Sequence, residues 1–289
     1  MRIRGEGLAR VARTWALPAL VFCLIVACGS VIAVLLPPGA GPDEPMHVAR
    51  VEQIAEGGLL PVPVDDGDLD ISLVGPSSDR YDLYGGTTDA ALYELVVTGN
   101  LSFYSDRDAP YAFPTWDDPR LASGGEMGEG AVSWLFPNTA INSPLSYAPH
   151  VLAYDVASAL TTNPWAVVVC MRLAGVLAYA AAALLCLLLL PVGRGVFALV
   201  CVLPQSMATC AVVSADPMAF AYVSVFVSCV VRMLWNEEMG PRTWVLLALS
   251  TAALCLAKVT YAPFGLLLLL LPVAHASYRA PRRLLAVGA

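Results

Sequence analysis

The sequence predicts an all-α membrane protein with about six transmembrane helices and one large external loop after the first of them. Three observations predict it. The 289 residues are 58% hydrophobic and only 13% charged, with a mean hydropathy of +0.68, whereas soluble domains are about 45–50% apolar and about 25% charged. Several uncharged runs exceed the roughly 18 residues that mark a membrane-spanning helix. The block from Pro37 to Pro164 carries 19 of the 23 acidic residues against four arginines, a formal −15 within a chain of net charge −7. A soluble globular enzyme is excluded, and nucleic acid is a poor partner for so acidic a loop.

In chain order, residues 1–14 form a basic N-terminus with Arg2, Arg4, Arg10 and Arg13, and residues 15–36 the first span. A cleaved signal peptide, or a lipoprotein box at Ile25-Val26-Ala27-Cys28, fits less well, because the apolar run continues eight residues past Cys28. Residues 37–164 form the acidic loop, and residues 165–275 a five-helix bundle with spans at Trp165–Leu190, Gly195–Ala215 and Met218–Leu234. Its last run, Trp244–Val273, is split into two short helices near Thr260. Residues 276–289 form a basic C-terminus. With both termini cytoplasmic, ten of the sixteen Lys and Arg lie inside, as the positive-inside rule requires, and the loop lies outside. All eight cysteines fall in apolar runs, so they read as small hydrophobes rather than a disulfide or metal framework. Tyrosines, tryptophans and phenylalanines among the loop's turns predict a partly ordered cap, with a helix at Thr88–Val97 and a less regular stretch at Asp65–Ser78.

The segment after the first span, Gly41-Pro42-Asp43-Glu44-Pro45-Met46-His47-Val48-Ala49-Arg50, predicts a juxtamembrane helix over 43–57. Asp43 or Glu44 is its N-cap, Pro45 lies in its first turn and Gly57 is its stop. Asp43, His47, Arg50 and Ile54 share one face, a polar stripe along the membrane surface, with His47 placed to hydrogen-bond Asp43. Three ionisable residues of later spans come to the same membrane level: Arg172 about 10 Å deep, and Asp216 and Lys258 at outer ends. Charges within spans are costly and point to function. A carboxylate pair above an arginine and a lysine suits a substrate with a phosphate at headgroup depth and a polar group in the aqueous loop. His150 and His275 have no evident partners, and Asp65, Asp66, Asp68 and Asp70 match a calcium loop only loosely, so no metal site is expected.

Pro42-Asp43-Glu44-Pro45-x-His47-x-x-Arg50 with Gly57-Gly58 resembles a bacterial family of predicted polytopic membrane proteins known as domain of unknown function 2142. Further matches are Asn142-Ser143-Pro144-Leu145-Ser146-Tyr147-x-Pro149, Met171-Arg172-Leu173, Leu203-Pro204, Ser214-Ala215-Asp216 and Lys258-x-x-Tyr261. That family in turn looks like the GT-C glycosyltransferases, membrane enzymes that take sugar from a polyprenyl-phosphate carrier. The resemblance implies a GT-C-like layout in the bacterial plasma membrane and transfer to a glycan or protein acceptor of the cell envelope. It nominates Asp43, with Glu44 beside it, as the catalytic base or metal-binding carboxylate. The cations Arg172 and Lys258, with Arg50, are expected at the lipid phosphate, and His47, Asp216 and Tyr261 complete the expected substrate-binding residues. The cofactor is unknown, a divalent cation being one option that the family leaves open. Relatives commonly have nine or more spans, so a truncated product or a fragment is expected. The rivals are a transporter or flippase for a lipid-linked saccharide and a non-catalytic envelope assembly partner.

Overall fold

The computed structural model describes residues 2–60, 62–64, 84–105, 125–235, 240–257 and 259–271. The stretch at Asp65–Ser78, Lys258 and His275 lie outside the described residues. Helices predominate: α1 (Arg2–Leu35), α2 (Glu44–Ala55), α3 (Ala90–Ser105), α4 (Pro137–Ala140), α5 (Ala148–Ser158), α6 (Pro164–Leu189), α7 (Arg194–Cys201), α8 (Pro204–Cys210), α9 (Asp216–Trp235) and α10 (Pro241–Ala257). Single 3-10 stretches cover Pro144–Tyr147 and Val259–Leu269.

Among the described residues three helical segments are long and apolar enough to cross a membrane: Thr14–Leu35, Pro164–Leu189 and Asp216–Trp235. They match the first, second and fourth expected spans to within a few residues. The expected span Gly195–Ala215 is instead interrupted. Pro204 has no N–H to donate, so α7 ends at Cys201, α8 restarts at Pro204 for seven residues, and 211–215 is irregular. The final apolar run divides near Thr260 as expected, but into a 17-residue helix and an 11-residue 3-10 stretch containing Pro263, both short of a full crossing.

The chain forms two compact units. One comprises residues 1–25, 179–203 and 218–289. Its core is Phe226, Cys229, Val230, Met233 and Leu247, from α9 and α10. Phe220 lies between Tyr179 and Phe197, with ring centroids 4.4 and 6.0 Å away. At the C-terminal end of α6, Arg232 donates to the Leu189 carbonyl at 3.0 Å and Arg194 to that of Leu190 at 2.7 Å. Two arginines thereby satisfy carbonyls that no helical N–H reaches, at the end of the helix dipole that favours cations.

The other unit comprises residues 26–178 and 204–217. It contains a small sheet that the all-α expectation omitted: β1 (Val62–Pro63), β2 (Tyr84–Asp89) and β3 (Ala131–Leu135), antiparallel, with β2 central. Gly85 faces Leu135 across the ladder, and a Cβ there would stand 2.0 Å from the Trp134 carbonyl oxygen. Trp134 meets Tyr93 edge-on at 5.0 Å and donates its indole N–H to Thr88 at 2.9 Å. The helix expected from Thr88 begins at Ala90, because Thr88 and Asp89 complete β2. The Asp89 carboxylate then accepts from the N–H groups of Ala91 and Leu92 at 3.0 and 3.2 Å, capping α3.

α2 is the hub of this unit. It is buried along most of its length, Glu44, Arg50, Glu52 and Gln53 included, which corrects the expected polar stripe at the membrane surface. Its apolar side packs Val48, Val51 and Ile54 against Leu92 and Val96 of α3, Tyr154 of α5 and Val167, Val168 and Met171 of α6. α6 itself starts on a side-chain cap, since Asn163 accepts from the N–H groups of Trp165 and Ala166 at 2.9 and 3.2 Å. Asn163→Ala is expected to destabilise the protein by about 1 kcal/mol, to be read as a lowered midpoint of thermal unfolding in detergent.

Candidate functional site

The segment from Pro37 to Glu44 turns the chain from α1 into α2 in a tight path. Gly39 has φ +77°, and a Cβ on it would stand 1.8 Å from the Val96 carbonyl oxygen, so only glycine fits. Asp43 follows at φ 53°, the one non-glycine with positive φ among the described residues. It occupies the expected N-cap position, but its side chain makes no capping hydrogen bond and is exposed. The left-handed backbone takes its carboxylate away from the helix end, and only its carbonyl accepts, from the His47 N–H at 3.0 Å.

Glu44 behaves oppositely. It is fully buried, and its carboxylate accepts four hydrogen bonds: from Arg172 Nε at 2.7 Å and Nη2 at 2.6 Å, Val213 N–H at 2.9 Å and Gly41 N–H at 3.1 Å. Arg172, equally buried, gives its remaining N–H groups to the carbonyls of Ala33 (3.0 Å), Leu36 (2.6 Å) and Pro37 (2.7 Å). All five donors of the guanidinium are used. The pair therefore clamps the end of α1, the start of α2, α6 and the irregular 211–215 segment together. Burial alone would raise the Glu44 carboxyl, but the Arg172 charge and these four donors hold it below the ordinary value. Arg172, expected to hold phosphate, and Glu44, expected beside the catalytic base Asp43, are each other's partners.

Arg50, expected beside a substrate, is also internal. It hydrogen-bonds Gln53 and donates to the carbonyls of Gly58 (3.0 Å), Leu59 (2.8 Å) and Asn142 (3.5 Å), fastening the turn that Gly57 opens at φ +94°. Its Nε has no partner. His47 does not bond the Asp43 side chain but meets the Tyr147 hydroxyl at 2.6 Å through Nδ1, and Asn142 donates to the same hydroxyl at 3.1 Å. Burial raises the Tyr147 phenol, and the nearby Asp216 carboxylate raises it further against Asn142 and Arg50. Asp216, exposed at the start of α9, thus belongs to the neighbourhood of His47 and Tyr147. Tyr261 lies in the other unit.

Sequence reasoning missed two of the unit's polar centres and left Tyr147 as no more than part of a matched motif. His150, which had no evident partner, is buried, its Nδ1 2.8 Å from the Met171 carbonyl oxygen and its Nε2 2.9 Å from that of Ser214. The ring fits because residue 175 is glycine: a Cβ there would stand 2.7 Å from its Cε1. Burial pushes the imidazole pKa down, against the pull of the two carbonyls and the Glu44 charge.

Glu52 lines a cavity of about 340 Å³ together with Glu56, Asp89, Tyr154, Ser158 and Thr161, among others. Its carboxylate accepts from the Asp89 N–H at 3.0 Å and the Tyr154 hydroxyl at 3.1 Å. Burial nevertheless pushes Glu52 up to about 7, with the Glu56 and Asp89 charges adding to the rise. The folded protein then holds this proton more tightly than the unfolded chain, where the carboxyl titrates near 4.5. The stability that Glu52 contributes is fully present below pH 4.5 and is lost as pH rises through 7, by about 3 kcal/mol in all. Glu52→Gln is expected to flatten that decline between pH 5 and 8, as measured by thermal unfolding across the range. An unchanged slope would place the titration elsewhere.

The juxtamembrane motif, the Glu44–Arg172 clamp and the Asn142–Tyr147 segment all fall within residues 26–289, the part of the chain matched by a family model described as Predicted membrane protein (DUF2142). No curated protein and no solved structure matches the chain. On a match that covers most of its length, this chain belongs to the DUF2142 family of predicted membrane proteins.

Proposed function

We propose that this membrane protein is a glycosyltransferase that moves a sugar from a polyprenyl-phosphate carrier to a glycan or protein acceptor of the bacterial cell envelope. The observation that carries the reading is the pairing of an exposed carboxylate with a rigid mount. Asp43 stands in a left-handed turn, and its neighbour Glu44 is anchored by four hydrogen bonds. A base must be held within hydrogen-bond reach of the proton that it takes, and a clamped neighbour supplies that positioning.

In the reaction the acceptor hydroxyl gives its proton to the Asp43 carboxylate while its oxygen bonds to the anomeric carbon. The bond from that carbon to the phosphate oxygen breaks, and polyprenyl phosphate leaves with the electron pair. His47, Tyr147 and Asp216 orient the acceptor. Glu44, Arg172 and Arg50 act as positioning residues. The accompanying topology is six crossings in a GT-C-like layout in the bacterial plasma membrane, with both termini cytoplasmic and the 37–164 domain outside.

The break in the helix at Val202–Leu203, followed by irregular backbone at 211–215 that is buried as far as Ser214, favours a second reading, since broken helices build the central sites of transporters. One experiment separates the two. The full chain, reconstituted in vesicles with a radiolabelled polyprenyl-phosphate sugar and envelope glycan, is assayed for covalent transfer and for movement of label across the bilayer. Transfer supports the glycosyltransferase, and movement without transfer replaces it with the transporter.

A further inference from the structure

α5 is apolar on both of its sides. One side is the protein's own core: His150, Tyr154 and Ala157 are buried in the unit organised by α2. The opposite side presents Leu152 and Val156, one turn apart, at 66% and 53% exposure, and Leu160 just beyond the helix at 81%. Leu145, in the preceding 3-10 turn, is exposed in the same way. Asp155 is the only exposed ionisable residue of the helix. A contiguous exposed apolar patch marks contact with a membrane or a partner.

The chain itself says which. Five residues, 159–163, connect α5 to α6, the 26-residue apolar helix long enough to cross the bilayer. Extended, they reach at most about 20 Å. Residues 157–161 are also drawn into a turn, in which the N–H groups of Leu160 and Thr161 both donate to the Ala157 carbonyl. Trp165 stands at the first turn of the span, where an aromatic residue marks the headgroup level. The aliphatic face of α5 is therefore tethered close to the headgroup boundary and carries no lysine or arginine that would hold it in water.

We propose that α5 descends into the bilayer alongside the outer turns of α6, with His150 level with Met171 and Leu160 level with the entry of α6 at Pro164, so that Leu152, Val156 and Leu160 face the acyl chains of that leaflet. An aliphatic face left uncovered at the depth of a span is a face that lipid covers. The hairpin of α5 and α6 then fixes the depth at which the α2 hub sits against the bilayer. The inference is independent of the glycosyl-transfer reading.

The test uses the full chain, one copy per phosphatidylcholine nanodisc. A photoreactive diazirine amino acid is placed in turn at Leu152, Val156 and Leu160, at Leu20 in the first span as the lipid-facing reference, and at exposed Glu129 as the aqueous reference. Lipid-adduct yields at the three α5 positions within about two-fold of that at Leu20, and well above that at Glu129, are expected. Yields at the Glu129 level, or crosslinks to a second protein chain, would overturn the proposal. The reciprocal experiment needs no substitution: a diazirine-tailed phosphatidylcholine and the unmodified chain are expected to give adducts on peptides covering 145–160. Adducts confined to α1, α6 and α9 would refute it.

Discussion

Glu44→Gln is expected to destabilise the protein by about 3–5 kcal/mol, because it leaves the Arg172 guanidinium buried without a counter-charge. Arg172→Met leaves the converse, a buried carboxylate, and the two variants should differ in how they respond to pH. In the unaltered protein Glu44 is held below its ordinary pKa, so its contribution is present above the unfolded-state pKa and lost as pH falls. Without Arg172, burial is the dominant influence left, and it raises the carboxyl. Protonation then rescues the fold, and the Arg172→Met protein should gain more stability than its parent as pH is lowered, the Glu44 contribution having reversed its sign. Glu44→Gln has no carboxyl to protonate and should show no such recovery. The double variant should cost less than the sum of the two, since neither charge is then orphaned. Denaturant unfolding of all four proteins at pH 5 and pH 8, with each variant's change read against the parent's own so that the Glu52 titration cancels, measures this. A Glu44→Gln protein as stable as its parent would mean that the clamp contributes nothing.

What the sequence revealed and what it hid divide along the range of the interaction. The spans at Thr14–Leu35, Pro164–Leu189 and Asp216–Trp235, the helix after Asp43 and its stop at Gly57 follow from local hydropathy and turn chemistry, and were legible. Arg172 was legible as a charge needing an explanation. Its partner was not, because Glu44 lies 128 residues away and the clamp exists only once α1, α2, α6 and the 211–215 segment have packed. The polar stripe assigned to α2 failed for the same reason. Arg50 and Glu52 look like surface residues in a helical projection, yet each is buried with partners from remote segments: Asn142 for Arg50, Asp89 and Tyr154 for Glu52. A signal for Tyr147 did exist, since Asn142-Ser143-Pro144-Leu145-Ser146-Tyr147 stood among the matching motifs, but a motif without a partner gives no role. The interruption of the expected span at Gly195–Ala215 had a visible cause in Pro204. Its depth did not, because whether a proline kinks or ends a helix depends on what satisfies the freed backbone. Here Glu44 takes the Val213 N–H, and the His150 ring meets the Ser214 carbonyl.

Asp43→Asn separates chemistry from architecture more cleanly than any change in the clamp. Asparagine tolerates a left-handed backbone as well as aspartate does, and the Asp43 side chain neither caps α2 nor is buried. The substitution should therefore leave folding and membrane insertion unchanged. It removes the charge that would accept the acceptor's proton, and the expected loss of transfer is about 10²–10⁴-fold, the usual contribution of a positioned general base. Measured with the labelled polyprenyl-phosphate sugar, the loss should appear in kcat with little change in KM, because the proton moves only in the transition state. Glu44→Gln makes the contrasting control: it should lower stability and transfer together, since its effect on Asp43 is one of placement. If Asp43→Asn retained full turnover in a correctly inserted protein, the exposed carboxylate would not be the base, and the glycosyltransferase reading would lose the observation that carries it. If instead both variants lost transfer while only Glu44→Gln lost stability, the two adjacent acids would have divided the work between them, Glu44 as the mount and Asp43 as the base.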